Sequence, residues 1–437
     1  MTQTPPPIIK TPPLHKPLKV LHLSTSDTGG GAAIAAHRLC KAQRNAGIEA
    51  NMLVLTKKSD DPFVYKAIDN SILNNILPPL FYCGELAFAA VANALKTDYR
   101  LFELSFPFLG VSIANHPLVL NADVLHFHWT NQGFLSLRSL KELIPYQKKI
   151  VFTLHDIWPV SAVCHYSMKS DYPFFEKDTR NSNTDIAKYW ANKIYERKKE
   201  IYRQLRPSFV GCSQWIANIA RRSRLAQGCL ISAIPNIPDT LHFAPHEKME
   251  AREKLGLPKN RPIILFGAAN AKDPRKGYQY LVMALQKLAQ NPDIAAMNPL
   301  LVVFGKADAS DFNSAVFKLD TCLMGFIANA EIMALLYSAA NVFVIPSIEE
   351  NFPNTIIEAQ LCECPSVGFR IGGIPEIVDT PAKGTLVNPY DIVALSDAIA
   401  AYLQHEDQFD LRGDAIRRYT ASDIVAQYSK VYNSNGH

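Results

Sequence analysis

The sequence predicts an α/β chain of two doubly wound domains facing a shared cleft. Short apolar runs alternate with amphipathic stretches, the rhythm of parallel strands joined by helices. That rhythm runs twice, and the proline-rich segment "IPNIPDTLHFAP" (234–245) separates the two series. With 437 residues and 48% hydrophobic content, the chain has length for two ordinary domains and apolar surface for full cores.

Residues 1–16 are polar and proline-rich and read as a flexible leader without the apolar run of a secretory signal. The first series, residues 17–235, opens with strand "LKVLHLS" (18–24), loop "TSDTGGG" and a helix closed by Gly47. Strands "EANMLVL" (49–55), "DVLHFHW" (123–129), "KIVFTLHD" (149–156) and "SFVGCS" (208–213) follow, while residues 76–116 fit the rhythm poorly. The longest apolar region, "ILPPLFYCGELAFAAVANAL" (76–95), is broken by two prolines, Glu85 and Asn93, so it does not read as a bilayer span. The second series, residues 236–412, runs from "RPIILFGAAN" (261–270) and a helix after Gly277 to "LLVVFG" (300–305). "AEIMALLYSAA" (330–340), "NVFVIPS" (341–347) and "PSVGF" (365–369) continue it. Residues 413–437 contain a closing helix near "IVAQYSKVYN" (424–433).

Eight scattered cysteines without a C-x-x-C pair suit reduced thiols in a cytosol better than a disulfide framework. Residues 1–225 hold 28 lysines and arginines against 17 acids, a balance of +11, and the rest holds 17 against 23. The basic half fits nucleic acid, anionic lipid or a phosphate-bearing substrate, with solvated helix faces such as "YERKKEIYRQLR" (195–206) as the plainer alternative.

The stretch "EENFPNTIIEAQ" (349–360) places three carboxylates around a predicted helix start at Asn354. Backbone N–H groups of Asn354, Thr355 and Ile356 would there face a diphosphate. Glu350 precedes the helix and Glu358 lies just over one turn inside, so both can accept from hydroxyls on either side of that diphosphate. A nucleotide sugar has that chemistry. Helix-terminal surface charge is the competing explanation.

The order S-x-E-E-N-F-P-N-T-x-x-E-A resembles the glutamate-x7-glutamate motif of retaining, GT-B-fold glycosyltransferases of family 4. "PRKG" (274–277), "LMGFI" (323–327), "RIGGIPEIV" (370–378) and "GTLVNPYD" (384–391) extend the resemblance, as do "STSDTGGGAAIAAHRL" and "TLHDIWPVSAVCHY" in the first half. The subset is similar to bacterial exopolysaccharide and colanic-acid-type transferases. It implies two Rossmann-like domains, the first binding an acceptor and the second a nucleotide sugar, with the closing helix crossing back to the first.

By resemblance, Glu350 meets the donor sugar's hydroxyls, Glu358 holds the ribose, and Lys276, beside Arg275, neutralises the departing diphosphate. Asn351, Phe352, Asn354 and Thr355 complete the donor loop, and backbone near Phe326 and Ile327 reads the base. Gly30 and Gly31 let the chain approach the ligand across the cleft, although "DTGGGA" fails as a dinucleotide fingerprint at Ile34. His155 supplies a catalytic imidazole from the first domain, while His128 and Trp129 face the acceptor. Two departures stand out. Ala268 follows Gly267 where many relatives have arginine, and Glu363 in "LCECPSV" has no assigned role.

The expected activity is a metal-independent, retaining transfer from a UDP- or GDP-linked sugar to a saccharide or lipid-linked acceptor, with no cofactor and no nucleic-acid partner. Polysaccharide or glycoconjugate biosynthesis in the cytoplasm is the expected setting. A peripheral visit to the membrane's inner face, the oligomeric state, the base, the sugar and the acceptor stay open. A non-catalytic nucleotide-sugar-binding protein of the same fold is the alternative. A hydrolase holding metal on His126 and His128, with His155, Asp156 and His165, is the remote one.

Overall fold

The structure, a computed structural model, describes residues 17–94, 104–166, 186–271, 273–404 and 410–434. The expected leader, 1–16, lies outside the described residues. The first sheet contains β1 (Lys19–Ser26), β2 (Glu49–Thr56), β3 (Val64–Lys66), β4 (Val124–Phe127), β5 (Lys149–Leu154), β6 (Ser208–Gly211) and β7 (Ile231–Ala233). Its order is β3-β2-β1-β4-β5-β6-β7, parallel throughout. The second sheet contains β8 (Ile263–Asn270), β9 (Leu300–Lys306), β10 (Asp320–Gly325), β11 (Val342–Ile345), β12 (Ser366–Phe369) and β13 (Gly384–Val387). These run parallel in the order β10-β9-β8-β11-β12-β13.

Helices cover both faces of each sheet, so the central strands are apolar on both sides and read as continuous hydrophobic runs. In β1, Val20, Leu21 and Leu23 are buried together with His22 and Ser24. One core lies behind the first sheet and another behind the second. A third joins the two domains, from Val20 and Ala36 through Ile234 and Ile237 to Ile356, Tyr428 and Tyr432.

Among the described residues, the poorly patterned region contains the helix Ser71–Ala94, with Pro78 and Pro79 inside it. Each proline removes a backbone donor, which explains the weak helical signal. Among the described residues, no helix is long and apolar enough to cross a membrane. The closing helix, Ala421–Asn433, lies against the Gly31–Asn45 helix of the first domain. Lys149 Nζ, at the start of β5, donates to the Ser434 carbonyl just beyond its end (2.7 Å).

In each sheet the strand order reverses once, between β1 and β4 and between β8 and β11. Loops leaving the carboxyl ends of strands at such a point form the ligand crevice of doubly wound domains. The loops holding Gly30 and Gly31, His128, Lys276 and Glu350 all leave at these points.

Gly277 controls the turn after β8. Its φ is +74°, and a Cβ there would sit 1.8 Å from the Pro346 carbonyl oxygen. Gly228 has the same conformation (φ +75°) with nothing within 4 Å of its virtual Cβ. Gly228→Ala should therefore cost only the left-handed strain, about 1 kcal/mol. Gly277→Ala should cost that plus a backbone collision, at least about 3 kcal/mol. Urea denaturation of the two variants separates the contributions, and equal midpoints would contradict the packing at Gly277.

Candidate active site

The second domain builds its half of the site from two loops. The turn after β8 ends in a short helical turn, Pro274–Lys276, and the loop after β11 leads to the helix Asn354–Leu361. Lys276 Nζ donates to Glu350 Oε1 (2.5 Å), and Ser347 Oγ donates to the same oxygen (3.1 Å). The lysine and carboxylate singled out in the sequence thus meet across the crossover of the sheet. Gly372, at φ +55°, packs where a Cβ would lie 1.8 Å from the Glu350 carbonyl oxygen, so the "RIGGIPE" turn braces this loop.

The helix begins at Asn354, as expected. Ile356 N–H is not free, because it donates to the Pro353 carbonyl in a tightened first turn (3.2 Å). Asn354 and Thr355 are half-buried at the opening of the helix. Asn354 Oδ1 accepts from Asn236 (3.0 Å), and a Cβ on Gly31 would lie 4.0 Å from Asn354 Nδ2. The Gly30–Gly31 loop therefore stands opposite the helix start. Glu358 accepts from both terminal nitrogens of Arg38, a first-domain residue (3.3 Å each). Burial raises the Glu358 carboxyl, and Arg38 pulls it back.

Other expected donor residues are placed differently. Phe352 is buried against the Tyr419 ring (5.8 Å), since an apolar side chain between two domains gains more from packing than from facing solvent. Arg275 is paired with Asp273 and lies 3.8 Å from the Tyr166 ring centroid, so its charge is engaged by groups on both domains. Phe326 is exposed at the end of β10, the edge strand, and Ile327 is half-buried behind it. Asn351 is a tie between domains. Its amide donates to the carbonyls of Leu154 (2.9 Å) and His155 (3.2 Å), and its oxygen accepts from Ser213 Oγ (2.7 Å).

Two roles carried no signal in the sequence. Glu376 accepts from the N–H groups of Gln214 and Trp215 (2.8 Å each), capping the first-domain helix Gln214–Arg222 from the other domain. Glu363 caps the Leu411–Arg418 helix through the N–H groups of Leu411 (2.9 Å) and Arg412 (3.0 Å).

In the first domain, β1, β4 and β5 bring four histidines together. His22 Nδ1 is 2.9 Å from His128 Nε2, and His128 Nδ1 is 3.1 Å from His155 Nε2. His126 lies between the Tyr432 hydroxyl (2.8 Å) and Thr153 Oγ1 (2.7 Å). His128, expected at the acceptor site, is buried with both ring nitrogens engaged. Trp129 donates to Asp156 Oδ2 (2.9 Å). Asp156 pairs with His165 (2.6 Å) rather than His155. Burial opposes its charge, but His165 and the N–H donors outweigh it and hold the carboxyl low. His22, His126 and His128 each bring a ring nitrogen within 4.8 Å of the others. Those nitrogens already have protein partners, and His22 went unnoticed in the sequence.

Burial lowers all four histidines, His22 and His155 to about 4 and His126 and His128 well below the usual imidazole range. Released from the fold, each would titrate near 6.5. Between pH 6.5 and 4 the unfolded chain therefore binds more protons, so stability is complete above 6.5 and falls as pH drops towards 4. Each histidine contributes about 1.4 kcal/mol per pH unit in that window. Glu85, which burial pushes up to about 7, and Glu358 act in the opposite sense. The unfolding free energy should be lower at pH 5 than at pH 7.5. A flat or inverted profile in denaturant titrations would contradict four neutral buried histidines.

Residues 261–405 match the family model described as Glycosyl transferases group 1. The D-inositol 3-phosphate glycosyltransferase of Acidothermus cellulolyticus is 28% identical over 183 residues, covering 40% of each chain. This chain thus spans about two-fifths of the length of that curated relative. An uncharacterized 41.2 kDa protein in the cps region of Klebsiella pneumoniae is 22% identical over 375 residues, 84% of this chain and 93% of its own. Among solved structures, Anabaena Alr3699/HepE in complex with UDP aligns with a TM-score of 0.60 at 17% identity, over 96% of this chain and 100% of that one. The parallel sheets, the paired crossover loops and these matches lead to one statement: residues 261–405 form a glycosyl transferases group 1 domain within a chain of GT-B fold.

Proposed function

We propose that this chain is a retaining glycosyltransferase that moves a sugar from a UDP- or GDP-linked donor to a hydroxyl of a saccharide or lipid-linked acceptor. Residues 17–235 would bind the acceptor and residues 236–412 the nucleotide sugar, with residues 413–437 bracing the first domain. The Lys276–Glu350 pair carries the reading. It puts a cation beside a carboxylate able to accept from hydroxyls, at the crossover of the glycosyltransferase domain. The Anabaena neighbour's complex with UDP supports a nucleoside diphosphate as part of the donor.

In the reaction the bond between the sugar's anomeric carbon and the β-phosphate oxygen breaks. The acceptor oxygen bonds that carbon on the same face, and its proton passes to the departing phosphate. Lys276 leaves Glu350 to neutralise the charge growing on the diphosphate. Glu350 accepts from the sugar hydroxyls, and Glu358 exchanges Arg38 for the ribose hydroxyls. Lys276 performs the neutralisation without a metal ion, so chelator should leave turnover unchanged.

Calorimetry with UDP and GDP, beside turnover of labelled donors, tests these roles. Glu350→Ala should lower turnover by about 100-fold while nucleoside diphosphate affinity changes little, because the free diphosphate carries no sugar. Glu358→Ala should weaken nucleoside diphosphate binding by about tenfold. Lys276→Ala should lower turnover by about 100-fold or more. Wild-type binding and turnover in both glutamate variants would overturn the assignment.

A further inference from the structure

We propose that the buried amide of Gln43 fixes the tautomer of His155 through His22 and His128, making Gln43 a positioning residue for the transfer. The positioning role rests on the transferase reading above; the tautomer chain does not. Gln43 lies on the helix after the glycine loop and is fully buried. Its Nε2 faces the Tyr432 hydroxyl (2.7 Å), and its Oε1 faces His22 Nε2 (2.9 Å). An amide oxygen only accepts, so His22 carries its proton on Nε2 and accepts at Nδ1. His128 must then donate from Nε2 and accept at Nδ1, and His155 must donate from Nε2. Each link forces the next.

The far end is compatible with this. His155 Nδ1 lies 3.6 Å from Cys212 Sγ. Burial pushes that thiol up to about 12, so it stays protonated and its S–H can donate weakly to the ring. His155 Nδ1 is therefore the lone pair of the chain, covered by a single weak donor. The second branch from Gln43 is consistent. Its N–H groups lead Tyr432 to donate to His126 Nδ1, and His126 Nε2 donates to Thr153 Oγ1. Every imidazole is satisfied while neutral, as burial demands.

For the reaction, this converts His155 from a two-way group into a fixed acceptor. A substrate hydroxyl approaching Nδ1 needs to displace only the Cys212 S–H. With the opposite tautomer, an N–H would point there and repel a donated proton.

Nitrogen-15 spectra of histidine-labelled protein at neutral pH read tautomers directly. Wild type should show His22, His128 and His155 protonated at Nε2. Gln43→Leu should bring Nδ1–H signal into His155 and lower turnover by about tenfold or more, with nucleoside diphosphate affinity unchanged. Cys212→Ser, whose hydroxyl still donates, should preserve the wild-type tautomer. If Gln43→Leu does not fold, Gln43→Glu keeps the volume and the acceptor for His22 but not the donor for Tyr432. It should hold His155 unchanged and alter His126 alone. A wild-type His155 protonated at Nδ1, an unchanged tautomer in Gln43→Leu, or a changed tautomer with unchanged turnover would each overturn the proposal. Stoichiometric zinc binding that moves the His22, His126 and His128 signals would overturn it in favour of a metal site. A wild-type protein inactive with every nucleotide sugar defeats the transferase reading and the positioning role with it, while the spectra still decide the tautomer chain.

Discussion

One side chain amide, that of Asn351, sets the geometry on which the candidate site depends. Parallel sheets end in carbonyl oxygens that lack strand partners, and two such ends face each other here. Asn351 donates to the carbonyls of Leu154 and His155 and accepts from Ser213, so it joins the loop after β11 to the ends of β5 and β6. Glu350 is its neighbour and inherits that placement. Glu376 reinforces the tie from the next turn by capping the helix that Ser213 begins. Carboxylates bound to two N–H donors at a helix start are among the stronger hydrogen bonds a surface seam can form.

Charge pairing then decides what can bind. Lys276 holds Glu350, Arg38 holds Glu358, and Asp273 holds Arg275. A ligand entering this site exchanges partners rather than meeting bare charges. A molecule bearing both a diphosphate and flanking hydroxyls, the chemistry of the proposed donor, can satisfy the lysine and the glutamates together.

The sequence made the fold legible because its signals were local: apolar strand runs, a helix stop at Gly47, a helix start after Gly277, and a proline-rich break between the series. The helix start at Asn354 was legible in the "PNT" tract, whereas the motifs gave Lys276 and Glu350 separate roles and did not reveal their ion pair. What escaped was set by long-range contacts. Gln43 meets Tyr432 across 389 residues, and Arg38 meets Glu358 across 320. No period or spacing encodes such pairs. Phe352 and His128 are both buried, an environment that single positions in the sequence do not reveal. Glu363 had no assigned role and Glu376 drew no notice, because a cap is recognisable only once the helix it faces is known.

The closing helix shows why the two domains are topological units rather than independent ones. Its tyrosines supply hydroxyls to Gln43, His126 and Thr153, all buried in the first domain. A core cluster runs from β1 through the linker to Tyr432, so apolar burial in the first domain is completed by residues at the far end of the chain. Without that helix, the Gln43 amide and His126 Nδ1 would lose their partners. A buried polar atom without a partner costs about 1–3 kcal/mol, and more where several share a network. The order of the chain thus couples the domains. The second must be made before the last helix can satisfy the polar interior of the first, and the histidines beside the cleft reach their neutral arrangement only in the complete fold.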